Sequence, residues 1–174
     1  MTSLFHNFQG ILINQEKSWV TAAAPSSSSR MHEQSVYHRF LESGGEGSDC
    51  VLRCLEILPG QTPLEYMVNG DSRSYIKIHR PTREVQLGWF PQMASALDLL
   101  HERRVLVADI ATRNIPVDAD LALKICDLSE ASILLLDSDM STADDDSHTV
   151  RVDVGLFAGI MYEIITGPKY GDNL

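Results

Sequence analysis

Three oxygen-bearing side chains, Asp109, Asn114 and Asp127, stand five and thirteen residues apart in the stretch LHERRVLVADIATRNIPVDADLALKICDLSEA, Leu100 to Ala131. No other feature of the sequence constrains the fold as strongly. The residues between Asn114 and Asp127 read as two short strands, Ile115–Val117 and Leu121–Cys126, separated by the polar turn DAD. The three side chains then fall on loops at strand ends. Two carboxylates and an amide oxygen are hard ligands or proton acceptors, a set suited to a magnesium-phosphate site in which the metal keeps some of its waters.

The flanking segments have helical patterns. Pro91 suits the first turn of a helix whose apolar face is Met93, Ala96, Leu97 and Leu100, ending near Glu102. A last helix is expected from about Val154 to Thr166, with Phe157, Ala158, Met161, Ile164 and Ile165 inward and Gly167-Pro168 ending it. The earlier part is richer in strands. It offers a strand at Gly10–Asn14, a Ser-rich flexible loop at 21–29, and a helix from Met31 to Leu41 with Val36, Tyr37, Phe40 and Leu41 at helical spacing. VLRCLEIL, Val51–Leu58, reads as a buried strand ended by Pro59-Gly60, and Leu64–Met67 as a second one ended by Asn69-Gly70.

Composition narrows the classes of function. The 174 residues hold roughly one domain, and 14 basic against 24 acidic side chains give a net charge of −10 that repels nucleic-acid backbones. Residues 88–174 carry −9 of it. Between Asp127 and Asp153 eight acids face the single base Arg151, so residues 137–149 are expected to be a flexible, solvated loop. No apolar run reaches the ~18–20 residues of a membrane span, the longest stopping at Glu163. Cys50, Cys54 and Cys126 are odd in number and poorly spaced for zinc, and the start lacks a secretory pattern. Buried thiols in a reducing, intracellular compartment, the cytoplasm, are the expectation.

The order and spacing of these features resemble the protein kinase superfamily, in which an H-R-D-L-x-x-x-N loop is followed by a short hairpin and D-F-G. Val107-Ala108-Asp109 stands for the first triplet, Asn114 for its asparagine, and Asp127-Leu128-Ser129 for the last triplet. LEYMVNGDSRSYI from Leu64 resembles the hinge and following helix, and DVGLFAGIMYEIITG from Asp153 the central C-lobe helix. HEQSVYHRFL from His32 resembles the N-lobe helix, with Glu33 as its ion-pair glutamate. The loop DIATRN is closer to the tyrosine-kinase style, since Arg113 precedes Asn114 and Ala111 replaces a lysine; it also resembles divergent kinase-like proteins of fungi.

The resemblance implies an α+β, protein-kinase-like two-lobe fold in a single domain, with an eroded N-lobe over 1–66 and a truncated helical C-lobe over 67–174. It implies ATP and Mg2+ as cofactors and a protein as substrate or scaffold partner. Asp109 would accept or orient the substrate hydroxyl, with Arg113 as the second catalytic position, while Asn114 and Asp127 would hold magnesium. Glu65 and Met67 would meet adenine through backbone groups, and Lys17, sixteen residues before Glu33, is the candidate for the lysine-glutamate pair. The implied activity is transfer of the γ-phosphoryl group to a protein hydroxyl; the alternatives are a pseudokinase that binds without turnover and an incomplete kinase fragment.

Several departures bear on activity. Val107 and Ala108 remove the histidine and the arginine that meets a phosphorylated activation loop, and Ser129 stands where glycine is usual. No G-x-G-x-x-G precedes a strand, no A-P-E precedes Asp153, and Pro116 sits where the first hairpin strand wants an amide donor.

Overall fold

Apolar and β-branched residues place three short strands side by side: β1 (Ile11–Ile13), β2 (Ser18–Thr21) and β3 (Pro63–Glu65). They pair antiparallel in the order β1-β2-β3, with Ile11 opposite Thr21 and Trp19 opposite Leu64. The computed structural model describes residues 11–13, 18–21, 27–42, 48–59 and 61–167.

Val51–Leu58 is not the buried strand its sequence suggests. The Leu52 amide donates to Ile125 O at 2.8 Å, the Leu55 amide to Pro63 O at 2.8 Å, and Leu58 and Gln61 exchange bonds at 3.1 Å. The segment changes partner every few residues, so isolated bridges form instead of a ladder, and Leu55 is left half-exposed. The two strands expected after Asn114 form a hairpin too short for regular strands, with Val117 opposite Leu123 and the Cys126 amide donating to Asn114 O at 2.9 Å. Pro116 costs it little, because its carbonyl still accepts the Lys124 amide at 3.1 Å.

The α-helices among the described residues are α1 (Ser27–Glu42), α2 (Ser72–His79), α3 (Arg83–Glu102) and α4 (Val150–Thr166). Helix α1 buries Val36, Tyr37 and Phe40. Asp71 caps α2 by accepting the Ser74 amide at 2.8 Å, a contact that typically contributes about 1 kcal/mol. Pro91 does not begin a helix. Helix α3 starts at Arg83 with Thr82 as its cap, and Pro91 lies in its interior on the exposed side, where its ring faces water. Met93, Ala96, Leu97 and Leu100 form the buried face as expected.

Helix α4 starts earlier than its apolar run, because the Thr149 hydroxyl accepts the Val152 amide at 3.2 Å. Its buried stripe is Asp153, Ile160 and Ile164; Ala158 is exposed, and Phe157, Met161 and Ile165 are half-buried. The rotation follows from Asp153, which must face the interior to make the bonds described below. Gly167 ends the helix at φ 81°, donating to Glu163 O at 2.8 Å.

Two more strands, β4 (Val105–Leu106) and β5 (Ser132–Ile133), pair antiparallel after α3. The core is one cluster that joins α1, β3, α3, the hairpin and α4 through Val36, Leu64, Trp89, Leu100, Leu128 and Ile164. Trp89 also donates its indole N–H to Leu121 O at 2.6 Å, which fixes the hairpin tip on α3.

Both segments expected as flexible loops contain regular contacts. Thr21 belongs to β2 and Ser27–Ser29 to α1, while 22–26 lie outside the described residues. Residues 137–149 fold as consecutive tight turns: Asp139 accepts the Ser141 hydroxyl at 2.8 Å, and Asp145 and His148 exchange backbone bonds at 2.9 and 3.1 Å. The Ser141 hydroxyl and amide hold the Asp139 carboxyl below the usual carboxylate range. Short acidic side chains cap their own turns along this segment.

Candidate active site

Buried Asp153, in the first turn of α4, organises the loop that follows β4. Its Oδ2 accepts the Val107 amide and its Oδ1 the Ala108 amide, both at 2.9 Å, and His101 Nε2 lies 2.8 Å from Oδ2. A carboxylate with three such partners fixes the backbone that delivers Asp109.

Asp109 meets Arg113 and Asn114. Arg113 Nη2 donates to both Asp109 oxygens at 2.6 Å, and the Asn114 amide nitrogen donates to Asp109 Oδ2 at 2.9 Å. The Arg113 and Asp109 side chains are 45% and 36% exposed, so this ion pair contributes only ~0–1 kcal/mol and can open to admit another partner. Asn114 is buried in the 3-10 turn Thr112–Asn114. With its nitrogen used on Asp109, its amide oxygen is the group left to act as a ligand.

The Cys126 amide donates to Asn114 O at 2.9 Å and so seats Asp127 beside Asn114. Asp127 adopts φ 59°, and Leu128 behind it is fully buried. Ser129, in the usual glycine position, donates its hydroxyl to Asp127 Oδ1 at 2.8 Å and orients that carboxylate. Burial first, and then the Asp127 charge, pushes the Cys126 thiol well up. Among the described residues no three His, Cys, Asp or Glu side chains are grouped to hold a metal. The oxygens of Asp127 and Asn114 nonetheless fit a magnesium ion, a hard cation that takes much of its shell from phosphate and water.

Of the other expected site residues, Glu65 ends β3, Met67 follows it and Glu33 lies on α1. Glu65 commits its amide to Arg53 O at 2.9 Å, and its carboxylate to the Lys124 ammonium at 2.5 Å and the Arg53 amide at 3.1 Å. Met67 is buried, and its carbonyl accepts the Gly70 amide at 3.2 Å in a turn that needs the φ of 70° glycine allows. Glu33 is buried on α1 beside Tyr37, and His32 Nε2 meets the Ala131 carbonyl, which holds α1 against the loop that follows Asp127. Burial first, and then the Glu33 charge, pushes the Tyr37 phenol well above its usual range. Lys17 lies outside the described residues.

A family model described as protein tyrosine and serine/threonine kinase matches residues 51–152, well over half of the chain, including Asp109, Asn114 and Asp127. The chain belongs to the protein kinase family. Curated relatives include an Aurora kinase of Eremothecium gossypii, 27% identical over 117 residues, and an Aurora kinase of Saccharomyces cerevisiae, 24% identical over 119; each match covers 60% of this chain and 32% of the relative. A CBL-interacting protein kinase 10 of Oryza sativa subsp. japonica is 28% identical over 88 residues, covering 48% of this chain and 20% of the relative. The chain therefore spans about a third or less of the length of these curated relatives. No helix among the described residues is long and apolar enough to cross a membrane.

Residues of this kinase domain that sequence reading did not single out surround the 3-10 turn. Ser72 donates its hydroxyl to Thr112 O at 2.9 Å, Thr112 donates its own to Glu163 Oε2 at 2.8 Å, and Arg73 Nε lies 3.4 Å from Glu163 Oε1. His101 at the end of α3 is another. Apart from Thr112, which opens the turn, each sits on an α-helix, and a polar residue on such a helix gives no local sign of its partner.

Proposed function

We propose that this kinase domain binds ATP with magnesium and transfers the γ-phosphoryl group to a protein hydroxyl. The observation that carries the reading is that Asn114 bonds Asp109 through its side chain and, through its carbonyl, the amide of Cys126, the residue before Asp127. Asp127 and Asn114 would hold the magnesium ion, which when bound neutralises charge on the phosphate oxygens. Asp109 would orient the acceptor hydroxyl and take its proton, its carboxylate positioned by Asn114 and released from Arg113 as substrate enters. Arg113 would then face the transferred group. The Glu65 carbonyl and Met67 amide would take the adenine edge, since the Glu65 amide is committed to Arg53. Glu33 is assigned the ion pair of the N-terminal part, with Lys17 as its partner. Catalysis of this kind is positioning plus charge stabilisation.

Ser129 bonded to Asp127, together with Val107 and Ala108 in place of the usual His-Arg, supports a second reading as a pseudokinase, a binding or scaffold module without turnover. A thermal-shift titration with ATP, with and without magnesium, separates the outcomes. Nucleotide at 100 Kd adds about 2.7 kcal/mol of stability. A magnesium-dependent shift that Asp127→Asn abolishes is expected; no shift at millimolar nucleotide sinks both readings. Phosphotransfer lost in Asp109→Ala marks an enzyme, and nucleotide binding without phosphotransfer marks the pseudokinase.

A further inference from the structure

The turn between Asp109 and Asn114 is held from two helices that are far from it in sequence. Thr112 is 2% exposed at the start of that turn. Its carbonyl accepts the hydroxyl of Ser72, a residue with no exposure at the head of α2, and the next backbone link, from the Ser72 amide to Ile115 O at 2.8 Å, spans the far end of the same turn. Its hydroxyl donates to Glu163 Oε2 on α4 at 2.8 Å, and the other Glu163 oxygen lies 3.4 Å from Arg73 Nε on α2. Glu163 is thus the point where α4, α2 and the turn meet. A carboxylate accepting a buried hydroxyl makes a stronger bond than a neutral acceptor, and a charge shared with a guanidinium has little freedom to rotate away.

We propose that Glu163 is a positioning residue, which through the Thr112 hydroxyl and Arg73 locks the turn carrying Asp109 and Asn114 onto the helix that follows the nucleotide-side strand. This rests on reading Asp109 and Asn114 as the reacting pair, but the lock itself is a property of the fold. Asn114 donates its amide to Ala111 O at 2.8 Å and accepts the Cys126 amide at 2.9 Å, so any slack at Thr112 reaches the seat of Asp127 as well. Arg73 and Glu163 are 32% and 27% exposed, whereas Thr112 is closed off, so the hydroxyl bond carries the positioning and the ion pair orients its acceptor.

The test compares Thr112→Val, which keeps the shape and removes the donor, with Thr112→Ser, which restores it, and with Glu163→Ala. Residue-resolved hydrogen exchange on the full chain reads the lock without needing activity. Thr112→Val is expected to speed exchange of the Asn114 and Cys126 amides about tenfold while the α3 core amides keep their wild-type rates, and Thr112→Ser to return them. Unchanged exchange at Asn114 and Cys126, or acceleration spread evenly over the whole chain, would overturn the proposal. If Thr112→Val does not fold, Glu163→Ala, which removes the acceptor at a partly exposed position, carries the same readout: local acceleration supports the lock and wild-type rates refute it. Where wild type transfers phosphate, Thr112→Val should lower kcat about tenfold with KM for ATP unchanged. An inactive wild type with the same local exchange pattern defeats the phosphotransfer reading and leaves the lock standing.

Discussion

Asp153 Oδ1 accepts the Ala108 amide at 2.9 Å while Ala108 stands at φ 66°, in the left-handed region that non-glycine residues rarely adopt. The carboxylate holds the strained residue in place, and the strain turns the chain so that Asp109 follows on the open side. Asparagine at 153 would keep one acceptor oxygen and set an NH2 against a backbone N–H. Asp153→Asn is expected to lose about 2–4 kcal/mol, because hydrogen bonds to a buried charge are strong and one amide would be left unsatisfied. Urea unfolding with an unchanged slope checks this; a loss under about 1 kcal/mol would contradict the anchoring role.

Ala108 itself supplies the second prediction. Glycine occupies φ 66° without the Cβ clash, at some cost in chain entropy, so Ala108→Gly should gain roughly 0.5–1 kcal/mol. Thermal unfolding measures it, and a destabilised variant would show that the alanine methyl contributes more packing than its conformation costs.

Local geometry around the candidate site follows the sequence where chemistry and local order coincide. Asn114 bonds Asp109 within the loop and the Cys126 amide beside Asp127 across the hairpin, and Met93, Ala96, Leu97 and Leu100 bury as their spacing predicts. Reading failed where a distant partner decides. Val51–Leu58 looks like a strand by composition, but its amides are divided between Pro63 on the next strand and Ile125 far along the chain. The rotation of α4 departs from its apolar pattern because Asp153, a polar residue, takes an inward position that the pattern assigns to its neighbours. Proline tolerates N1, so Pro91 alone predicts a helix start there, whereas the Thr82 cap lies nine residues earlier. The Thr112 to Glu163 bond joins residues 51 positions apart, and no pattern within either segment announces it.

The Lys124 and Glu65 pair, at 2.5 Å and with exposures of 15% and 27%, ties the hairpin before Asp127 to β3. Its partial exposure limits its worth. Lys124→Met should lose about 1 kcal/mol at low salt, discounted for solvent screening, and less in 1 M salt where the Debye length is about 3 Å. Denaturation at the two ionic strengths tests it, and a loss that does not shrink with salt would mean that lysine packing, not charge, carries the effect.

Tyr37 is 3% exposed, and its hydroxyl has no hydrogen-bond partner among the described residues. A buried hydroxyl left unsatisfied costs about 1–3 kcal/mol, so Tyr37→Phe should raise stability by about 1–2 kcal/mol. The same residue sets an alkaline limit. Burial, with the Glu33 charge behind it, raises the folded phenol above its ordinary value, so its contribution is fully present below the unfolded pKa of about 10 and is lost as pH rises through the folded value. Cys126 has the same sign with a lower threshold, about 8.5, and acts in both proteins. Wild type and Tyr37→Phe should therefore weaken in parallel between pH about 8.5 and 10, and diverge above pH 10 as wild type falls more steeply. Stability curves from urea titrations across that range decide the point; parallel curves above pH 10 would mean that Tyr37 ionises in the folded state as readily as in the unfolded chain.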